Sequence, residues 1–291
     1  MRLATIRVPS GERGGRRLTR AVKADGDLLV DLGAADLGEF LADGGWHERA
    51  AAASAAGPGA VTYPASAASF APLVPSPSKV VCVGLNYRNH IQEMGRELPE
   101  YPTLFAKFAD TLLGARDDLV KPAETDRWDW EAELAVVIGR PARRVAGPAA
   151  EAAIAGFTVL NDLSARDWQF RTKEWLQGKV WDSSTPVGPY LVTPDELPGG
   201  TRPGLRVSLT VDGAVMQDDT TADLLFDPVA LVEYISVVTR LNPGDIIATG
   251  TPGGVGSART PPRFLVGGET VTASIEGIGE MVNKVVKEAV R

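Results

Sequence analysis

Glu131 and Glu133 stand one residue apart at the head of an apolar, β-branched run, Trp130-Glu131-Ala132-Glu133-Leu134-Ala135-Val136-Val137-Ile138-Gly139. Residues of that kind form strands, and side chains two apart on a strand point to the same face. The run therefore predicts a strand over 131–138 with two carboxylates aimed at one spot. Like charges held so close repel, so the arrangement persists where a cation sits between them, and oxygen donors favour Mg²⁺ or Mn²⁺, with Ca²⁺ possible. Asp162 follows the next apolar run, 154–160, and is placed to supply a third carboxylate. The alternative is an edge strand whose wet face carries both glutamates; spacing alone does not choose between the two.

Strand signals dominate the rest of the chain. Short alternating runs predict strands over 4–8, 17–23 and 28–32, followed by an alanine-rich helical segment over 37–56, broken at Gly44-Gly45 and ended by Gly57-Pro58-Gly59. Pro72-Leu73-Val74-Pro75-Ser76-Pro77-Ser78 reads as an extended linker, which places a boundary near residue 75 between a small N-terminal α+β domain (1–75) and a catalytic domain (76–291). Further strands are expected over 79–84, 103–108, 154–160, 205–211, 245–249 and 269–275, and Asp212-Gly213 reads as the turn of a hairpin continuing over 214–217. One clear helix is expected over 229–241, with Asp227 as N-cap and Pro228 at its first position. The fold class is mainly β with some α.

Composition narrows the partners. A net charge of −7 with no basic stripe interleaved with aromatics excludes a nucleic-acid partner, and Arg13, Arg16 and Arg17 in their glycine-rich setting read as a solvated turn. No run reaches the length of a membrane span, and the first residues lack the apolar core of a signal peptide; a cytoplasmic location and no membrane partner are expected. Cys82 is the one cysteine and sits in an apolar strand, so an inert core thiol is expected. Histidine occurs only at 47 and 90, which leaves too few ligands for zinc chemistry.

Three further segments carry chemistry-bearing residues. His90 and Glu93 stand at i and i+3 of a short predicted helix, the make-up of a general-base pair or of a surface ion pair. Gly250-Thr251-Pro252-Gly253-Gly254 follows a strand, and its backbone N–H groups with the Thr251 hydroxyl could hold a carboxylate or enolate oxygen; a structural turn is the alternative. Between 166 and 179, Arg166, Gln169 and Lys179 lie among tryptophans, a set suited to a carboxylate beside a ketone, or to an interface loop.

In this order these segments resemble the fumarylacetoacetate hydrolase (FAH) family from about Val80 to Lys284. The resemblance rests on Gly84-Leu85-Asn86-Tyr87 with His90 and Glu93-Met94-Gly95, Glu131-Ala132-Glu133, Asn161-Asp162 with Ala165-Arg166-Asp167 and Gln169, Gly178-Lys179, Thr249-Gly250-Thr251-Pro252, and Ile275-Glu276-Gly277. It implies an FAH-type mixed β-sandwich roll for the catalytic domain and a homodimer. It implies Mg²⁺ or Mn²⁺ held by Glu131, Glu133 and Asp162, with Tyr87, Arg166, Gln169, Lys179, Gly250 and Thr251 as substrate contacts. His90, Glu93 and Lys179 are the implied catalytic residues, with the His90 segment as a lid.

The implied substrate is a small 2-oxo or β-diketo acid. The leading expectation is hydrolysis of a C–C bond in an acylpyruvate through a metal-stabilised enolate, with His90 activating a water. The same enolate serves decarboxylation or tautomerisation of an oxaloacetate-like or unsaturated 2-oxo diacid, and a silent 2-oxo acid binder is a further reading. Two positions depart from the family pattern: Val180 follows Lys179 where serine is common, and Glu174 stands where glutamine is common. Phe170, Trp175, Trp181 and Arg259 are the candidates for shaping the far end of the pocket.

Overall fold

A computed structural model describes residues 1–9, 18–93, 95 and 97–288. The strand that carries the glutamates, Ala132–Ile138, is buried at all seven positions. It pairs antiparallel with Ile154–Asn161 along one edge and with Ile246–Ala248 along the other. With both edges hydrogen-bonded it is an interior strand, which removes the wet edge-strand alternative.

From this centre one mixed sheet extends both ways. Beyond Ile154–Asn161 come Thr185–Val192, Arg2–Val8, Leu18–Asp25, Leu28–Asp31 and Thr62–Pro64; beyond Ile246–Ala248 come Val80–Gly84, parallel to it, and Thr103–Lys107. A second sheet runs Ala214–Thr220, Arg206–Val211, Thr270–Ile275, Gly279–Lys287 and Leu119–Lys121. Leu134, Val136 and Val159 share a core with Val207, Leu209 and Val271 of that second sheet. Ala135, Val137 and Leu160 pack instead with Leu37, Phe40 and Trp46 of the helices Leu37–Ala42 and Trp46–Ala52. Burial on both faces explains why the central strands read as continuous apolar runs.

Local signals are realised with small shifts. The alanine-rich segment forms two short helices because Gly44 and Gly45 interrupt it, and residues 53–60 are not helical. Asp212 and Gly213 take φ of 48° and 79°, the pair of left-handed residues that a tight hairpin turn requires. Asp227 Oδ1 accepts from Val229 N and Ala230 N at 2.9 Å each, capping Pro228–Val238. That helix stops three residues short of the expected 241, because Leu241 is drawn into a bridge with Ala142.

The extended stretch near residue 75 does not interrupt the sheet. Arg2–Val8 pairs with Thr185–Val192, and Leu3 and Leu37 share a core with Val80 and Ile246. We keep 1–75 and 76–291 as a proposed division of the chain, with one sheet and one core common to both parts. Arg13, Arg16 and Arg17, and Met94 of the His90 segment, lie outside the described residues. Among the described residues no helix is long and apolar enough to cross a membrane.

Candidate active site

The register of the two central strands builds the carboxylate cluster. Ala132 faces Asn161, so Glu131 and Asp162 flank the same end of the ladder. Asp162 N donates to Glu131 O, and Glu131 N donates to Asn161 Oδ1, both at 2.9 Å. Glu131, Glu133 and Asp162 are all buried, and one oxygen from each lies within 4.8 Å of the others. Strand alternation and backbone pairing thus bring together the three residues that the sequence singles out.

Cations surround this cluster. Lys179 Nζ donates to Glu131 Oε2 and to Asp162 Oδ2 at 2.7 Å each, and Arg166 Nη2 lies 2.6 Å from Glu131 Oε1. Lys107 Nζ donates to Asp162 Oδ1 at 2.6 Å. Glu133 accepts a backbone hydrogen bond from Gly250 N at 2.8 Å and, among the described residues, has no cation within ion-pair distance.

The electrostatics follow from that inequality. Burial, then the charges of Asp162 and Glu131, push the Glu133 carboxyl well above the usual carboxylate range. Burial acts the same way on Asp162, but Lys107 and Lys179 outweigh it and bring that carboxyl down to about 2. Burial opposes the charged form of Lys179, yet Asp162 and Glu131 raise its pKa above the ordinary lysine value. With Asp129, four buried carboxylates face the three buried cations Lys107, Arg166 and Lys179, so the set carries one excess negative charge once Glu133 is ionised, as a bound cation would make it. A convergent set of hard oxygens with surplus negative charge could hold a divalent cation.

Lys179 and Arg166 reach the cluster from two one-turn helices, Arg166–Gln169 and Leu176–Lys179. Gly178 permits their contact: a Cβ there would come within 2.4 Å of Gln169 Cβ. Arg166 is held on three sides, by Glu131, by Gln169 Oε1 at 2.9 Å and by Asp129 Oδ2 at 2.8 Å. Asp129 also accepts from Gly256 N at 2.7 Å and Ser257 N at 3.0 Å, so it ties the glycine loop to the guanidinium.

The loop at 250–254 is engaged with the protein itself. Gly250, at φ 101°, directs its N–H to Glu133; Thr251 Oγ1 donates to Ala132 O at 3.0 Å and accepts from Gln217 Nε2 at 2.8 Å. The expectation that Gly250 offers an open N–H to substrate is therefore corrected: that donor already stabilises Glu133. Thr251 does line the pocket.

His90 lies on the helix Arg88–Glu93 with Nδ1 3.2 Å from Glu93 Oε2. Asn86 moors this helix, donating to Thr249 O at 2.7 Å and Phe226 O at 3.0 Å while accepting from Phe226 N at 2.8 Å. Leu85, beside it, takes φ 57°, a costly conformation for a leucine, at the edge of the pocket.

One pocket brings His90, Glu131, Glu133, Arg166, Gln169 and Lys179 together. Phe170 and Trp175 also line it, whereas Trp181 packs against Trp128 and Trp168, and Arg259 Nη2 donates to Met216 O. Tyr87 departs from expectation. Its side chain is fully buried, its backbone forms an antiparallel bridge with Leu224, and it is not among the residues lining this pocket. Lys107, Asp129 and Gln217 were not singled out in the sequence. The first two left a signal: a lysine inside the apolar strand 103–108, and a carboxylate at i−2 from Glu131 in the same alternation.

Residues 79–286 match the family described as fumarylacetoacetate (FAA) hydrolase C-terminal. Oxaloacetate tautomerase Fahd2a, mitochondrial, of Rattus norvegicus is 43% identical over 224 residues, 77% of this chain and 71% of that protein. Fumarylacetoacetate hydrolase from psychrophilic Exiguobacterium antarcticum superposes with a TM-score of 0.82 at 29% identity, covering 98% of this chain and 100% of the other. The 2-hydroxyhepta-2,4-diene-1,7-dioate isomerase from Mycobacterium marinum gives 0.77 at 31% identity, covering 100% of both chains. All three are named as enzymes acting on small molecules, and the two solved structures share the mainly β fold. On the extent of these matches, the chain is a member of the fumarylacetoacetate hydrolase family.

Proposed function

We propose that this chain is a divalent-metal-dependent enzyme that interconverts the enol and keto forms of an oxaloacetate-like 2-oxo acid. The observation that carries the proposal is the meeting of the buried triad Glu131, Glu133 and Asp162 with Lys179 and the His90–Glu93 pair in one pocket. The activity named for the rat relative supports the choice of reaction within the family.

Glu131, Glu133 and Asp162 would hold Mg²⁺ or Mn²⁺, with Ca²⁺ a poorer fit to chemistry on a small chelate. The bound cation would lower the energy of the enolate of a 2-oxo acid. Lys179, pinned by two carboxylates, holds a fixed positive charge at the oxygen end, and Arg166, clamped by Asp129, Glu131 and Gln169, is preset to meet the substrate carboxylate. His90 turns Nδ1 to Glu93, which leaves Nε2 to move a proton between solvent and the substrate carbon next to the ketone. The enol O–H proton is lost, that carbon gains one, and no other atom is exchanged.

The His90–Glu93 pair also supports a second reading, hydrolysis of an acylpyruvate, in which the same imidazole activates a water. A homodimer and a cytoplasmic location complete the proposal. The deciding experiment follows loss of the enol ultraviolet band of oxaloacetate with purified protein and Mg²⁺ or Mn²⁺, alongside pyruvate release from acetylpyruvate and fumarylpyruvate. Accelerated ketonisation without pyruvate supports the tautomerase; pyruvate with acetate or fumarate moves the chain to the hydrolases. No metal-dependent turnover of any of the three overturns both.

A further inference from the structure

The pocket is lined by two unlike groups of residues. Beside the charged cluster stand Val83, Leu85, Phe105, Phe170 and Trp175. Phe105 adjoins the chemistry directly, its ring centroid 5.0 Å from Lys179 Nζ. Trp175 meets Phe105 edge to face with centroids 5.7 Å apart, and it presses so closely on Gly84 that a Cβ there would come within 2.3 Å of the indole. Phe170 closes the rim, 61% exposed.

Charge balance points the same way. With Glu131, Glu133, Asp162 and Asp129 all ionised against Lys107, Arg166 and Lys179, a bound divalent cation leaves the cluster with one positive charge, enough to match one substrate carboxylate. A second carboxylate, carried beyond the ketone, would meet aromatic surface, because Arg166 and Lys179 stand at the metal-ligand end of the pocket, on Glu131 and Asp162. Aromatic faces and edges favour a planar apolar partner over a solvated anion.

We infer that the substituent beyond the ketone rests on Phe105, Phe170 and Trp175, so that the site also takes 2-oxo acids with a planar, uncharged far end, an arylpyruvate enol being the simplest. The inference rests on the enol–keto reading of this site. The step is the same isomerisation: the enol O–H is deprotonated, the carbon bearing the aryl group is protonated, C=C becomes C–C and C–O becomes C=O, with no co-reactant.

The test compares phenylpyruvate with oxaloacetate on the metal-loaded protein, by enol decay and by calorimetric binding of each acid. Phenylpyruvate should bind at least as tightly as oxaloacetate and its enol should be consumed. Trp175→Ala should lower the phenylpyruvate-to-oxaloacetate ratio about tenfold, in both binding and kcat/KM, and Trp175→Phe should recover most of it. Oxaloacetate conversion with no phenylpyruvate binding, or an equal loss for both acids in Trp175→Ala, would overturn the inference. Trp175-dependent phenylpyruvate binding without conversion of either enol would support the aromatic wall and overturn the tautomerase.

Discussion

The Lys107 ammonium lies 2.6 Å from Oδ1 of Asp162, and neither side chain is exposed to solvent. Lys179 holds the other oxygen of the same carboxylate, so Asp162 is an ionised group fixed between two buried cations. Lys107→Met removes one of them while keeping the length of the side chain. The expected cost is about 3–5 kcal/mol, the range for stranding one partner of a buried pair, read by urea denaturation at neutral pH. The acid limb supplies a second readout. The Asp162 carboxyl is lowered to about 2 in the folded chain, so its contribution is present above the unfolded value of about 3.9 and is lost as pH falls through the folded one. In Lys107→Met that loss should shrink; an unchanged acid limb would show that Lys107 does not set the charge of Asp162.

Glu133 has the opposite sign. Its carboxyl holds a proton more tightly in the folded chain than in the unfolded one, so its contribution is full below about 4.3 and is lost as pH rises through the raised folded value. Metal-free Glu133→Gln should therefore be more stable than the metal-free parent at neutral pH. The parent should gain about 2.7 kcal/mol from Mn²⁺ at a hundred times its Kd, a gain that chelation removes. The variant should gain far less and lose turnover; wild-type stabilisation by Mn²⁺ with full turnover would sink the metal assignment.

Asp129 links Arg166 to the backbone of Gly256 and Ser257. Asp129→Asn keeps the shape but turns an N–H₂ toward one of these donors and removes the charge that orients the guanidinium. A stability loss of about 1–3 kcal/mol is expected, with kcat/KM down about 10–100-fold, as for residues one shell out from a metal site. Thermal melts and steady-state kinetics would check both, and an effect on stability alone would confine Asp129 to a packing role.

His90→Ala should lower kcat by about 10²–10⁴, the usual contribution of a positioned acid or base, with Mn²⁺ affinity unchanged because no metal-ligating carboxylate contacts the imidazole. Where an acylpyruvate is hydrolysed as well as an enol ketonised, both should fall, since the same imidazole serves both. An unchanged kcat, or weakened Mn²⁺ binding, would assign His90 another role.

Much of the site could be read along the chain because its spacing is a backbone property. Alternation puts Glu131 and Glu133 on one face whatever surrounds the strand, and Asp227-Pro228 and Asp212-Gly213 announce a helix start and a hairpin through their own dihedral preferences. Local rules failed where a distant partner intervened. The helix ends at Val238 because Leu241 finds Ala142, and Tyr87, which the family resemblance marked for the substrate, is fully buried with its backbone bridged to Leu224.

By itself the sequence determined the strand-rich class, the carboxylate face and the segments that carry His90, Arg166 and Lys179, because these follow from residue type and near-neighbour periodicity. Only the tertiary structure decided that the carboxylate strand is interior, that Lys107 and Asp129 belong to the cluster, that Gly250 serves Glu133, and that Phe170 and Trp175 rather than Trp181 and Arg259 line the pocket. The reason is physical: the protonation state of Glu133 or Asp162 depends on which charges from remote strands and helices are buried beside it, and that proximity is set by sheet order and packing rather than by position along the chain.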